Sequence, residues 1–309
     1  MILRCCEDDR NFNFHSVHRE LFPSYRLEAT NKSAFVRSQY RTTKALNART
    51  SFLRNFEKYL DFSKYHVYFF SSSRQFLRTY FNSDIGQPVA EIKVANYSNS
   101  AYLSSCISEI FPSISLNISN NGNHLFICDF GFAELTNDNE VIDDAWSFDL
   151  VRAITHLENG SKIYLASLTK SFGMPFGSMV IAHKSKLLQS DLEEHQQLFL
   201  MQEMGRSDWD FKQISERRRY LMEILLLGLQ DVGSNYFDFV PEFPGAAVIK
   251  LKSKFDEVEF KTLLNLHGIR GTSYFGNQAI VVPCHQGIDE NDVQIMIEII
   301  KHVCNYSIK

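Results

Sequence analysis

The sequence predicts a layered α/β protein: a large domain built on a mostly parallel sheet, followed by a small α+β C-terminal domain. Three observations predict it. Between residues 66 and 183, short apolar β-type runs alternate with segments of helical period, the pattern of strand–helix–strand units. Two of these runs, 162–170 and 177–183, are joined by a turn too short for a helical crossover, so one antiparallel neighbour is expected. After residue 185 the texture changes to long helical stripes, then to two strands interleaved with two helices. The expected organisation is an N-terminal helical segment over 1–65, a large domain over 66–190 and a small domain over 191–309.

Residues 1–65 are polar and mixed. The stretch from Ser33 to Phe62 reads as one or two helices whose Arg37, Arg41, Lys44, Arg49 and Arg54 form a solvated face. From His66, HVYFFSSS reads as a strand closed by three serines. RQFLRTYF follows with helical spacing at Phe76, Leu77, Tyr80 and Phe81. EIKVANYSN (91–99) reads as a second strand, 101–111 as a helix and HLFICDF (124–130) as a third strand. Phe148 to Leu157 is helical, and KIYLASLTK (162–170) and GSMVIAH (177–183) are the fourth and fifth strands. Residues 185–230 are helical, until Pro241, Pro244 and Gly245 break the pattern. Strands at 246–252 and 279–284 flank a helix over 255–268. Asp289 is the N-cap of a last helix with an apolar stripe at Val293, Met296, Ile297, Ile300 and Val303.

Composition excludes several function classes. Lys+Arg number 32 and Asp+Glu 36, a net charge of -4, so no broad electrostatic grip on nucleic acid or anionic lipid is expected. No run of 18 apolar residues occurs, so no membrane-spanning helix is expected. Glu7, Asp8 and Asp9 stand where a signal peptide needs its apolar stretch. Of the six cysteines only Cys5 and Cys6 are close, and no CxxC occurs. Reduced thiols, a cytoplasmic location and no metal site are expected. Cys128 and Cys284 read as small core residues. Asp129-Phe130-Gly131 imitates a kinase motif but lacks its companions. Arg217-Arg218-Arg219 reads as a solvated helical face, and His183 and His195 as ordinary histidines.

One stretch carries chemistry: Ser167-Leu168-Thr169-Lys170-Ser171-Phe172-Gly173-Met174-Pro175-Phe176-Gly177. A lysine at a strand end stands at the crevice where α/β sheets bind ligands. Ser167 and Thr169 can hydrogen-bond phosphate oxygens, and Gly173 and Gly177 permit close backbone approach. An amine beside a phosphate site is what a pyridoxal phosphate Schiff base requires.

SLTKSFGMPFG resembles the Schiff-base motif of the class I/II aminotransferases, the fold-type I enzymes that use pyridoxal 5'-phosphate (PLP). The resemblance implies Lys170 as the Schiff-base lysine. It implies a strand-end carboxylate on the cofactor's ring nitrogen. Asp129 in LFICDFGFAEL, 41 residues before Lys170, is preferred for that role because 124–130 reads as the better buried strand; Asp143 in VIDDAW, which looks like the family's V-D-E-A-Y, is the rival. ANYSNSAY resembles the family's A-N-P-N-N-P-T-G turn, matching Asn99 to the asparagine on the ring oxygen. Ser71, Ser72 and Ser73 at a helix start resemble the phosphate-binding turn. VPEFPGAAVIKL and HGIRGTSYFGNQAIVV agree in order with the family's C-terminal part, so the resemblance spans most of 66–303.

The departures are specific. Phe132 stands where the family places a tyrosine on the cofactor, Ser178 where it places a phosphate arginine, and Val281 or Val282 where it places the substrate-carboxylate arginine. Only 25 residues separate Ser73 from Asn99, so the family's aromatic on the ring has only Tyr97 or Tyr102 as a substitute. The resemblance implies a homodimeric PLP-dependent transferase, foremost an aminotransferase, acting on a small amino or keto substrate. The alternatives are a decarboxylase or acyl-transferring synthase of the same fold, or a non-catalytic relative used for binding or assembly.

Overall fold

The computed structural model describes residues 42–81, 91–94, 117–119, 125–127, 141–144, 148–160, 162–172, 174, 176–205, 210–231, 237–240, 245–252, 256–269, 272–274 and 279–306. Helix α1 (Thr42–Phe56) leads into β1 (Tyr65–Phe70) and α2 (Ser73–Phe81). Then come β2 (Glu91–Val94), β3 (Asn117–Ser119), β4 (Leu125–Ile127), β5 (Val141–Asp143), α3 (Leu150–Glu158) and β6 (Ile163–Ser167). The large sheet closes with α4 (Leu168–Phe172) and β7 (Ser178–His183), followed by α5 (Glu194–Met204) and α6 (Phe211–Gly228). The small part holds β8 (Phe237–Val240), β9 (Gly245–Leu251), α7 (Glu257–Leu266), β10 (Thr272–Tyr274), β11 (Ala279–Cys284) and α8 (Glu290–Tyr306).

Among the described residues the first sheet has seven strands in the order β1-β7-β6-β5-β4-β2-β3. The β6, β5, β4, β2 and β3 neighbours pair in parallel, while β7 runs antiparallel to both β6 and β1. The expected α/β class is therefore present, and the antiparallel pair expected from the short link between 162–170 and 177–183 is β6–β7. The strands β3, β5, β8 and β10 are additions to the predicted set: at three or four residues each they are too short to display a period, whereas the equally short β4 lies inside the longer apolar run 124–130. The run 162–170 is strand only to Ser167; α4 takes over at Leu168, so Lys170 is in a helical turn at the strand's carboxyl end. The expected helix over 101–111 lies outside the described residues.

The second sheet is antiparallel in the order β10-β11-β9-β8. Against it pack apolar faces of α6, α7 and α8, including Leu225, Phe260, Leu264, Val293 and Ile300. Asp289 caps α8 as expected: its carboxylate accepts from Asp292 N at 2.9 Å, and Asp292 returns the bond to Asp289 N at 2.8 Å. Cys284 is fully buried, and burial pushes its thiol up to about 12, so it is a core residue and not a nucleophile.

The larger core is rich in rings. Phe52 and Phe56 of α1 meet Phe69 of β1 and Phe211 of α6, with ring centroids 5.5 Å apart for Phe52–Phe69 and 5.0 Å for Phe56–Phe211. This core draws on residues from both sides of 66 and 190. Gly205 lets α5 close on α1, since a Cβ there would sit 2.5 Å from the Phe52 backbone nitrogen. Helix α6 belongs to both cores: Phe211 enters the first, while Leu221, Met222 and Leu225 enter the second.

On α3, His156 is buried with its Nε2 lacking a hydrogen-bond partner among the described residues. Burial, with Arg152 adding to it, pushes the imidazole down from 6.5 to about 4. Between those values the unfolded chain binds a proton that the folded chain refuses. Stability is therefore expected to fall as pH drops from 6.5 towards 4. His156→Gln should flatten that part of the curve, read as urea midpoints at pH 7, 5.5 and 4.5. An unchanged slope in the variant would assign the acid sensitivity to other groups.

Candidate active site

Of the candidate residues, Ser71, Ser167, Thr169 and Lys170 lie at the carboxyl edge of the large sheet, and register explains why. In β6, Ser167 pairs with Ser178 of β7, and Ser178 pairs in turn with Phe70, the last residue of β1. Residues directly opposite in a ladder share a face. The edge therefore aligns the residue after β1 (Ser71), the first residue of β7 (Ser178) and the last of β6 (Ser167). Two backbone bonds lock the loops above this row: Leu168 N donates to Gly177 O at 3.0 Å, and Gly177 N donates to Ser71 O at 3.1 Å. Gly177 has φ +106, where a side chain would be strained, and a Cβ would press 2.8 Å from Leu200 Cδ1.

The hydroxyls differ in what they already hold. Ser71 donates both its N–H, at 2.9 Å, and its hydroxyl to the Asp191 carboxylate. Ser72 does the ordinary capping work, its Oγ accepting from Gln75 N at 3.1 Å. Ser73, first residue of α2, has a buried Oγ with no partner among the described residues. Ser178 is fully buried and its Oγ likewise has none. Ser167 and Thr169 bond each other at 2.9 Å. Unsatisfied buried hydroxyls are uncommon, and here three occur together along these segments: Ser73 and Ser178 at the edge, and Ser171 in the lysine turn itself. Hydroxyls donate readily to phosphate oxygens, so the donor set of Ser73, Ser167, Thr169 and Ser178 fits the chemistry of a phosphorylated cofactor.

Asn99, Asp129 and Phe132 lie outside the described residues. Asp143 ends β5, the parallel neighbour of β6, and pairs there with Leu165 on one side and Ile127 of β4 on the other. It is 2% exposed. Asp144 follows, 1% exposed, with its N–H donating to Leu165 O at 2.8 Å. Successive residues of an extended chain face opposite sides, so Asp143 and Asp144 serve different surroundings. Asp144 accepts from the Tyr164 hydroxyl, and that hydroxyl accepts from Asp149 N at 3.4 Å. Burial first, then the Asp144 charge, raises the Tyr164 phenol well above its ordinary value, so it stays a donor.

Arg218 does not belong to the solvated face that the sequence predicts for Arg217-Arg218-Arg219. Arg217 does sit at the surface, paired with Glu290 at 2.9 Å, and Arg219 is exposed. Arg218 is 1% exposed. Its Nη2 donates to Ser171 O at 3.0 Å, its Nη1 to Phe148 O at 3.4 Å and its Nε to Gln286 Oε1 at 2.8 Å. Burial pushes the guanidinium down to about 10, opposed by the charges of Asp149 and Asp144, so it remains a cation at neutral pH. The only hint in the sequence was helical phase: Leu221, Met222 and Leu225 place position 218 on the buried face of α6.

No family model and no curated protein matches the sequence. Solved structures do match. An 8-amino-7-oxononanoate synthase from Francisella tularensis is 14% identical over 94% of this chain and 98% of its own, with a TM-score of 0.61. The chain has the fold-type I architecture. A Helicobacter pylori aminotransferase involved in pseudoaminic acid biosynthesis is 11% identical over 94% of this chain and 99% of its own, at a TM-score of 0.61. A serine palmitoyltransferase variant from S. paucimobilis, solved with PLP and myriocin bound, is 10% identical over 94% and 86%, at 0.57. These likenesses establish the fold, in agreement with the resemblance read from the lysine stretch. Among the described residues no helix is long and apolar enough to cross a membrane, and no cluster of metal-ligating side chains occurs.

Proposed function

We propose that the protein is a PLP-dependent enzyme of fold type I, foremost an aminotransferase, acting as a homodimer on a small amino or keto substrate. The observation that carries the reading is the coincidence of motif and edge: Lys170 follows the strand whose Ser167 is the cross-strand neighbour of the unsatisfied Ser178. PLP supplies an electron sink when bound. This chain's part is to hold it and to move protons.

Lys170 would attach the cofactor and, once released by substrate, carry the proton between carbon atoms as a general base. Ser73, Ser167, Thr169 and Ser178 would hold the phosphate, with the N-terminus of α2 adding its dipole. Ser71 and Ser72, already committed to Asp191 and Gln75, are given no direct part. For the ring nitrogen the strand order favours Asp143 over Asp129, because β5 is the strand next to β6 and Asp143 is its buried last residue. Asp129 follows β4 along the chain, and β4 is one strand further away. Val282 is fully buried in β11, and with valine at 281 as well neither family position offers an arginine to a substrate carboxylate. This favours a substrate held by other groups, such as a sugar, an amine or a carrier-bound acyl acceptor.

The test is spectroscopic. Purified protein mixed with PLP should develop a violet absorption band, and borohydride should fix the cofactor's mass on the peptide containing Lys170. If excess PLP yields neither band nor adduct at Lys170, the enzyme reading falls and the fold serves binding or assembly.

A further inference from the structure

We propose that Arg218, together with Gln286, is a positioning pair that holds the Lys170 turn in register with the small sheet's part of the molecule. The inference rests on the PLP reading only for what Lys170 does; the contacts stand independently.

A five-residue helix cannot satisfy its own last carbonyls. Even the carbonyl of Leu168, its first residue, accepts from beyond the helix, from Met174 N at 3.3 Å. The Ser171 carbonyl, on the residue after Lys170, takes two donors from elsewhere: Arg218 Nη2 at 3.0 Å and Gln286 Nε2 at 2.7 Å. Arg218 Nε then bonds Gln286 Oε1 at 2.8 Å, closing a ring of three groups. Each comes from a different element: the lysine turn, helix α6 and the loop between β11 and α8. The same guanidinium reaches Phe148 O at 3.4 Å. Phe148 has φ +29, a backbone that bulky residues rarely adopt, and its ring meets Phe172 of α4 at 4.9 Å. Arg218 therefore grips the lysine turn at Ser171 and again, through Phe148, at Phe172.

A buried cation is an expensive way to fill an apolar junction, where a methionine of similar volume often serves as well. Here the guanidinium lies between the two hydrophobic cores. Leu221, Met222 and Leu225 of its own helix enter the smaller core, while Phe148, whose carbonyl it binds, and Phe172, next to Ser171, belong to the larger one. Its directional donors do what methionine cannot: they set the orientation of one carbonyl next to the reactive lysine.

The experiment compares wild type, Arg218→Met, Arg218→Lys and Gln286→Leu as apo-proteins. Each is checked for fold by circular dichroism and melting. Each is then treated with PLP across pH 6–9 and trapped with borohydride. The adduct at Lys170 is quantified by mass spectrometry against adducts at surface lysines of the same sample. Arg218→Met should slow Lys170 trapping about tenfold, the loss of a charge-assisted bond, and displace its pH profile, with surface lysines unchanged. Arg218→Lys should recover part of the rate, and Gln286→Leu should slow it by about threefold, the weaker neutral bond. Folded Arg218→Met and Gln286→Leu proteins that trap Lys170 at the wild-type rate and pH profile would overturn the proposal. If Arg218→Met does not fold, Gln286→Leu decides alone. A wild type that labels its surface lysines but never Lys170 would remove the PLP reading, and this role with it.

Discussion

Lys170→Ala is expected to abolish the borohydride-fixed adduct and all turnover while leaving a folded protein that binds PLP reversibly. The covalent link needs one amine at the carboxyl end of β6, and alanine removes it. Alanine is the best helix former, so α4 keeps its backbone, and the hydroxyls of Ser73, Ser167 and Ser178 are untouched. Reversible binding should be modest even in the wild type. Ser178 stands where the resemblance of the lysine stretch leads one to expect an arginine, and a charge-assisted contact is worth about 1.5–3 kcal/mol, or one to two powers of ten in affinity. PLP titrations followed by absorbance and by equilibrium dialysis check both parts. An adduct that persists in Lys170→Ala, on another lysine and with the violet band intact, would move the Schiff base elsewhere.

Asp143→Asn should strip the proton from the ring nitrogen of bound PLP and lower turnover by about two powers of ten or more, the scale set by removing one preorganised electrostatic contact. Asp129→Asn should do neither. The ground is topological. Lys170 follows β6, the buried carboxylate on the adjacent strand is Asp143, and Asp144 is already taken by Tyr164. Nitrogen-15 NMR of PLP labelled at the ring nitrogen reads the protonation state without knowledge of the substrate. The reverse result, with Asp129→Asn losing the proton and Asp143→Asn keeping it, would restore the reading that the apolar run 124–130 first supported.

The contrast between those two aspartates marks what the sequence determined by itself. The lysine stretch was legible because its chemistry is local: hydroxyls, an amine and glycines crowd into one turn. The alternation of strands and helices was legible because apolar periodicity is local too. So was the Asp289 cap, whose bonding partner is three residues away. The order of the strands is not local. Only pairing along the sheet sets β5, three residues long, beside β6, and so brings Asp143 next to the lysine strand. Pairing also turned Ser178, a missing arginine in the sequence, into the buried neighbour of Ser167. Arg218 is the extreme case. Three successive arginines read as solvated because charges are costly to bury. Tertiary packing offset that cost with Ser171, Phe148 and Gln286, groups 47 to 70 residues away along the chain, and no local pattern could announce partners at that distance.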